Sequence, residues 1–125
     1  MNVRCAAFCG FAFATALFAL DAALPELPEL TPEVKKAGAA IYDEKCYACH
    51  RWTRDFAGPA MGADVERYRN TPAALVAYLK DPKPIHPEKY KTKMTLEPLA
   101  EKDAKNLAAW LLYLAEHPDS PDRPK

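Results

Sequence analysis

The feature that most constrains this chain is a C-x-x-C-H motif formed by Cys46, Cys49 and His50. The other two cysteines, Cys5 and Cys9, lie in an apolar N-terminal run that has the pattern of a targeting segment. A disulfide between cysteines this close in sequence closes too small a loop to restrict the unfolded chain by much. The motif therefore indicates another use for two thiols and an imidazole.

A C-x-x-C-H motif in an exported chain is typical of covalent haem attachment. Two thiols on one helical turn can reach the two vinyl groups at one haem edge, and the histidine then presents its imidazole to the iron. A thioredoxin-like dithiol shares the cysteine spacing but needs a strand before the motif and a sheet around it. A zinc site needs two more ligands, and the remaining histidines, His86 and His117, are single and far apart. The residues favour haem over both alternatives.

The N-terminal segment predicts export from the cytoplasm. Arg4 precedes an apolar run over 5–20, and Asp21 and two alanines follow it, so 1–23 has the pattern of a signal peptide. The run is shorter than the ~18–20 residues of a membrane-spanning helix. Because Asp21 stands where a cleavage site prefers a small residue, an uncleaved N-terminal anchor remains the alternative. In both cases we expect a periplasmic or equivalent location.

The rest of the chain divides into a linker, one domain and a tail. Proline-interrupted residues 24–31 cannot be helical and predict an extended linker. The domain, 32–117, contains few β-branched residues and no long alternating run, so an all-α fold is expected. The proline-rich tail, 118–125, is expected to be flexible. Apolar periodicity and start signals predict helices over 32–47, 72–81 and 101–116.

The charge balance excludes the usual nucleic-acid binder, since 17 basic and 17 acidic residues give a net charge of +0. Positive charge is concentrated in the loop before the last helix. Five lysines stand there against Asp81 and Glu88, for a local charge of +3, namely Lys80, Lys83, Lys89, Lys91 and Lys93. A solvated loop of no special purpose would have the same composition.

The segment 34–114 resembles the small class I cytochromes c. That family carries a glycine and an aromatic residue at set positions before the first cysteine, and Gly38 and Tyr42 stand there. Its C-terminal helix carries a leucine and an aromatic residue where it crosses the first helix at the glycine, and Leu107 and Trp110 match them. The resemblance implies an all-α cytochrome c fold, with three to four helices wrapped around one covalently bound haem c. It also implies that Tyr42 and Trp110 cover one haem edge.

The resemblance further implies the ligand set. Cys46 and Cys49 would hold the haem, His50 would be the proximal iron ligand, and the Pro59 carbonyl would accept the proton of the other imidazole nitrogen. Met94, in the loop before the last helix, is expected to be the distal ligand. A histidine and methionine pair raises the reduction potential relative to two histidines. Two alternatives for the distal position stay open, Met61 and His86.

The expected function is one-electron transport in the periplasm, without enzymatic activity. The partners would be redox proteins, with the five lysines of the loop facing an acidic surface. No nucleic acid and no small-molecule substrate are expected, and membrane contact only through an uncleaved N-terminal segment. An alternative is a cytochrome c subunit of a larger periplasmic dehydrogenase or oxidase, docked through the linker and the tail. A haem sensor or peroxidase would need an open iron position.

Overall fold

The computed structural model describes residues 26–90, 94 and 98–125, so the predicted signal peptide lies outside the described residues. The described chain has no strand, which confirms the predicted all-α fold. None of its helices is long and apolar enough to cross a membrane. Four helices follow one another: α1 (Pro32–Lys45), α2 (Met61–Glu66), α3 (Pro72–Lys80) and α4 (Glu101–Glu116).

Helix α1 begins where the sequence predicts and ends just before the haem-attachment motif. The Thr31 hydroxyl accepts a hydrogen bond from the Val34 amide at 3.3 Å, and a proline follows the cap. At the other end, the amides of Cys46 and Tyr47 both donate to the Tyr42 carbonyl, at 2.8 and 3.0 Å. This shared acceptor interrupts the regular ladder, so the helix stops at Lys45 and the motif forms separate turns instead of the predicted continuation to residue 47.

Helices α1 and α4 cross at Gly38, as the sequence predicts. A Cβ atom at Gly38 would lie 2.5 Å from Trp110 Cβ and 2.9 Å from the Asn106 carbonyl oxygen, so no side chain fits between the helices. The Tyr42 and Trp110 rings pack beside this crossing, with centroids 5.5 Å apart. Helix α4 also contacts α2 and α3 and contributes most of the buried core, including Leu107.

Helix α2 was not among the helices predicted from the sequence. It has only 6 residues and no side-chain cap, so it lacks both periodicity and a start signal. Long-range contacts fix it instead: the Met61 amide donates to the Arg51 carbonyl at 2.9 Å, and the Gly62 amide donates to the Trp52 carbonyl at 3.0 Å. A Cβ at Gly62 would lie 2.9 Å from the Trp52 indole nitrogen, so the glycine permits this approach.

The linker and the tail both contact the domain. Leu27 is partly buried against the core. In the tail, the Arg123 guanidinium donates to the Leu114 carbonyl at 3.0 Å and lies 5.5 Å from the Trp52 ring centroid. Lys35 of α1 pairs with Asp122 at 3.6 Å. The flexibility expected for 118–125 stays a prediction, and these contacts show where the tail lies.

Candidate haem site

A cavity of about 330 Å³ lies between the motif, α2, α3 and the loop that follows α3. Apolar and aromatic side chains form most of its wall, among them Val65, Leu75, Leu79, Tyr78 and Leu111. Five site residues predicted from the sequence line it together, namely Cys46, Cys49, His50, Pro59 and Met94. The fold therefore gathers two thiols, an imidazole and a thioether around one apolar space.

His50 is held from several directions. Its Nδ1 atom lies 2.9 Å from the Pro59 carbonyl oxygen, and since that oxygen can only accept, Nδ1 carries the proton. The backbone carbonyl of His50 accepts from the Tyr42 hydroxyl at 3.3 Å and from the Arg51 guanidinium at 2.8 Å. Burial raises the pKa of Tyr42 to about 12, so its hydroxyl stays protonated and donates. This arrangement leaves Nε2 as the nitrogen available to a metal.

Gly58 is a site residue that the sequence reasoning missed. A Cβ at this position would lie 2.7 Å from Cε1 of His50 and 3.0 Å from its Nδ1, so the imidazole lies directly against glycine backbone. The Gly58 amide donates to the Cys49 carbonyl at 2.8 Å, which fixes this approach. The sequence does carry a signal for this role, since Gly58 directly precedes Pro59, whose carbonyl binds His50.

The two cysteines differ in exposure but line the same cavity. Cys46 is 3% exposed, whereas Cys49 is exposed on its outer side. Neither forms a disulfide. Burial raises the pKa of Cys46 to about 11, so this group is a neutral thiol in the unmodified chain. One attachment point thus lies inside the domain and the other at its surface.

Met94 lies in the cavity wall contributed by the loop before α4. The Tyr78 hydroxyl of α3 donates to Met94 Sδ at 3.8 Å. Burial raises the pKa of Tyr78, so the phenol remains a donor at neutral pH. The Tyr68 ring packs against Tyr78 with centroids 6.0 Å apart and also lines the cavity.

The two alternative ligands, Met61 and His86, also line the cavity. His86 has polar partners at both ring nitrogens: Nε2 lies 3.0 Å from Asp64 Oδ1, and Nδ1 lies 3.7 Å from Glu88 Oε1. Met61 is the first residue of α2, and its amide donates to the carbonyl of Arg51, which directly follows His50. The structure therefore ties each alternative to other groups near the site.

Tyr42 and Trp110, expected to cover a haem edge, do not line the cavity. Both rings are buried, and Trp110 packs on Tyr42, which in turn bonds the His50 carbonyl. Their place is behind the ligand, so they support it from the helix crossing.

The three described lysines of the loop are ion-paired. Lys80 bonds Glu101 at 2.5 Å, Lys83 lies 3.3 Å from Asp81, and Lys89 pairs with Asp55. Lys91 and Lys93 lie outside the described residues. The local excess of charge expected from the sequence is therefore reduced by carboxylates from several parts of the chain.

Residues 35–115 match the family model described as cytochrome c. The chain belongs to the class I cytochrome c family. Among solved structures, a cytochrome c from Rhodothermus marinus matches with a TM-score of 0.59 and 24% identity, covering 70% of this chain and 82% of that one. The comparison with curated proteins finds no match.

Membership of the cytochrome c family means covalently bound haem c and haem-based electron transfer. The residues of the cavity fit this group, because both thiols and the Nε2 atom of His50 open on one apolar space. Because Gly58 has no side chain, it leaves room for the His50 imidazole, which a Cβ at this position would displace. When bound, haem supplies an iron that takes up and gives up one electron. Cytochromes c are typically carriers of electrons, not enzymes.

Proposed function

We propose that this chain is a periplasmic one-electron carrier whose single haem c is held by Cys46 and Cys49, with His50 and Met94 as the axial ligands. The observation that carries the proposal is the shared cavity, which His50 and Met94 line together. His50 has its Nδ1 proton committed to Pro59, so its Nε2 atom is free to bind iron.

The contacts of all three candidates support Met94 as the distal ligand. Both ring nitrogens of His86 face carboxylates, at 3.0 and 3.7 Å, so iron binding would require His86 to leave Asp64. The Met61 backbone is bonded to Arg51, which places it beside the proximal ligand. Met94 comes from a separate loop, and its sulfur already has a donor in Tyr78.

The protein's own residues set the properties of the carrier. The apolar wall excludes water, and a neutral thioether ligand adds no negative charge, so both favour the ferrous state and raise the reduction potential. The hydrogen bond from His50 to the Pro59 carbonyl raises the basicity of the ligand and fixes its ring orientation. With both axial positions filled by side chains, a substrate finds no open position on the iron.

Two ends of the described chain support a free carrier over a subunit with docking arms. Leu27 of the linker packs against the core, and the tail is bonded to α4 through Arg123 and paired with α1 through Asp122. These segments therefore already have partners within the domain. Export to the periplasm rests on the signal-peptide pattern of 1–23 and on the attachment chemistry of the motif.

Redox titration and carbon monoxide binding test this proposal. We expect the haem-loaded wild type to show one reversible one-electron transition, and its ferrous spectrum to stay unchanged when carbon monoxide is added. The Met94→Ala variant should bind carbon monoxide, since it opens the distal position. Immediate carbon monoxide binding by the wild type would contradict the carrier proposal and favour a sensor or peroxidase. Co-elution of the native protein with a larger enzyme would favour the subunit alternative.

A further inference from the structure

Large apolar side chains are exposed at only one place in the described chain, beside the haem-attachment motif. Tyr47 is 41% exposed and Phe56 is 51% exposed. The Arg51 guanidinium lies over both rings, 4.1 Å from the Tyr47 centroid and 4.3 Å from the Phe56 centroid. Arg54 lies over the Phe56 ring at 5.7 Å. Together, Tyr47, Arg51, Arg54 and Phe56 form what we call the arginine–aromatic patch.

The patch adjoins residues that line the cavity and also face solvent. Tyr47 stands between the two cysteines, and residues 47–49 and 53–57 are all exposed. Cys49 and Ala57 are exposed and line the cavity as well, so at these positions a single residue separates solvent from the haem site. Since electron tunnelling slows steeply with distance, a partner docked here would have a short path to the cofactor.

The charges of the patch are not compensated within the described chain. No carboxylate there lies within ion-pair distance of Arg51 or Arg54, and the neighbouring Asp55 is paired with Lys89. The three described lysines of the loop, by contrast, each have a carboxylate partner. Within the described residues, the patch is therefore the place where cations without a carboxylate partner lie beside exposed aromatic rings.

We propose that the arginine–aromatic patch is the docking surface for an electron-transfer protein that presents aspartate and glutamate side chains around an apolar centre. Guanidinium groups bind carboxylates in a planar, two-point geometry, and arginine and tyrosine are enriched at the energetic centres of interfaces. This inference rests on the proposed function. In the transfer, one electron leaves the ferrous haem iron, which becomes ferric, and reduces the oxidised centre of the partner by one electron; no other bond changes.

An electrode coated with a carboxylate-terminated monolayer serves as the acidic probe. The haem-loaded full chain is compared with Arg54→Glu, because Arg51 also holds the His50 carbonyl and is left intact. We expect the interfacial electron-transfer rate of Arg54→Glu to fall about five-fold or more at low ionic strength, with the difference shrinking as salt is added. Phe56→Ser should slow the rate as well, because it removes the ring over which both guanidinium groups lie.

Two charge-matched controls locate the effect. Lys83→Glu reverses a charge on the lysine-containing loop, and Lys102→Glu reverses an exposed charge on α4 that does not line the cavity. Each should change the rate less than about two-fold. A loss in Lys83→Glu equal to that in Arg54→Glu would overturn the proposal in favour of the loop. An equal loss of rate in Lys102→Glu would overturn it, because the rate would then depend on the net charge of the protein and not on the patch.

Potentials measured with dissolved mediators separate this inference from the proposed function. A wild type without a reversible one-electron couple would contradict electron transport itself. A normal couple in every variant, with an unchanged electrode rate in Arg54→Glu, would contradict only the docking surface. Co-sedimentation with vesicles of an anionic phospholipid, lost in Arg54→Glu, would overturn the proposal by assigning the patch to a membrane surface.

Discussion

The two sides of the haem cavity are built in different ways. On the proximal side, segment 46–62, the His50 ring is fixed by a backbone carbonyl and a glycine, and its own carbonyl has two donors. On the distal side, loop 81–100, the Met94 sulfur accepts a hydrogen bond from the Tyr78 hydroxyl at 3.8 Å. In the described part of that loop, side-chain pairs such as His86 with Asp64 and Lys89 with Asp55 join it to other elements.

This difference separates two properties of the protein. Backbone contacts along the proximal segment resist displacement, so this side determines whether haem is held and whether the domain folds around it. Side-chain contacts on the distal loop are exposed or partly exposed and contribute little stability. With the ligands proposed above, that side would supply the second ligand and affect the reduction potential, and we expect changes there to leave the fold intact.

Removing both attachment points should have the largest effect. In Cys46→Ala/Cys49→Ala we expect loss of covalent haem and a largely unfolded chain, because short helices bury too little apolar surface without the cofactor. Far-UV circular dichroism measures the helix content. Full native helix in this variant would show that the proximal side does not govern folding.

Crowding the His50 ring should have the next largest effect. Gly58→Ala places a Cβ 2.7 Å from Cε1 of the ring, so the ring or the loop must shift, and we expect a loss of about 2 kcal/mol in the free energy of unfolding. Denaturant unfolding of the haem-loaded protein measures it. Thr53→Ala, an exposed position of the same loop, is the control and should stay within about 0.5 kcal/mol of the wild type. Equal stabilities would contradict the tight proximal contact.

A distal change should alter the potential without unfolding the domain. Tyr78→Phe removes the donor to Met94 Sδ, which makes the sulfur a stronger electron donor to ferric iron. We expect a lower reduction potential and an unchanged circular dichroism spectrum. Tyr68→Phe is the matched control, because Tyr68 lines the cavity beside Tyr78, whereas the donor to Met94 is Tyr78. A potential lowered equally in both variants would contradict a role for the sulfur contact.

The smallest effect should come from the surface pair of Lys89 and Asp55. The lysine lowers the pKa of Asp55, so the pair stabilises the fold above the ordinary carboxyl range and stops doing so as pH falls through the lowered pKa. In Lys89→Gln we expect a slightly weaker loss of stability on acidification, and no change near pH 9 in the spectrum of the haem. Thermal unfolding from pH 6 to pH 3 tests this. An identical pH profile in the variant and in the wild type would show that the pair contributes nothing to stability.

The proximal side is also the better predicted of the two from the sequence. The motif follows from a short sequence pattern, whereas the Gly38 crossing and the Pro59 carbonyl were implied by the resemblance to the class I cytochromes c. Gly58 was missed because its role depends on how closely the loop returns to the His50 ring, a distance that spacing alone does not give.

Features that depend on distant contacts could not be predicted. Helix α2 is held by carbonyls of residues 51 and 52, which a periodicity argument does not include. The Tyr78 contact to Met94 and the pairing of Lys80 with Glu101 join separate elements, so they follow only from the assembled fold. The pairing of Lys89 with Asp55 likewise joins distant parts of the chain, so composition alone could not predict it.

The optical spectrum of the ferric, haem-loaded protein tests the central claim most directly, through the weak far-red band that reports sulfur bound to ferric haem iron. We predict that this band is present in the wild type, absent in Met94→Ala, and retained in Met61→Leu and His86→Gln. A wild type without the band, or a band that persists in Met94→Ala, would contradict ligation by His50 and Met94.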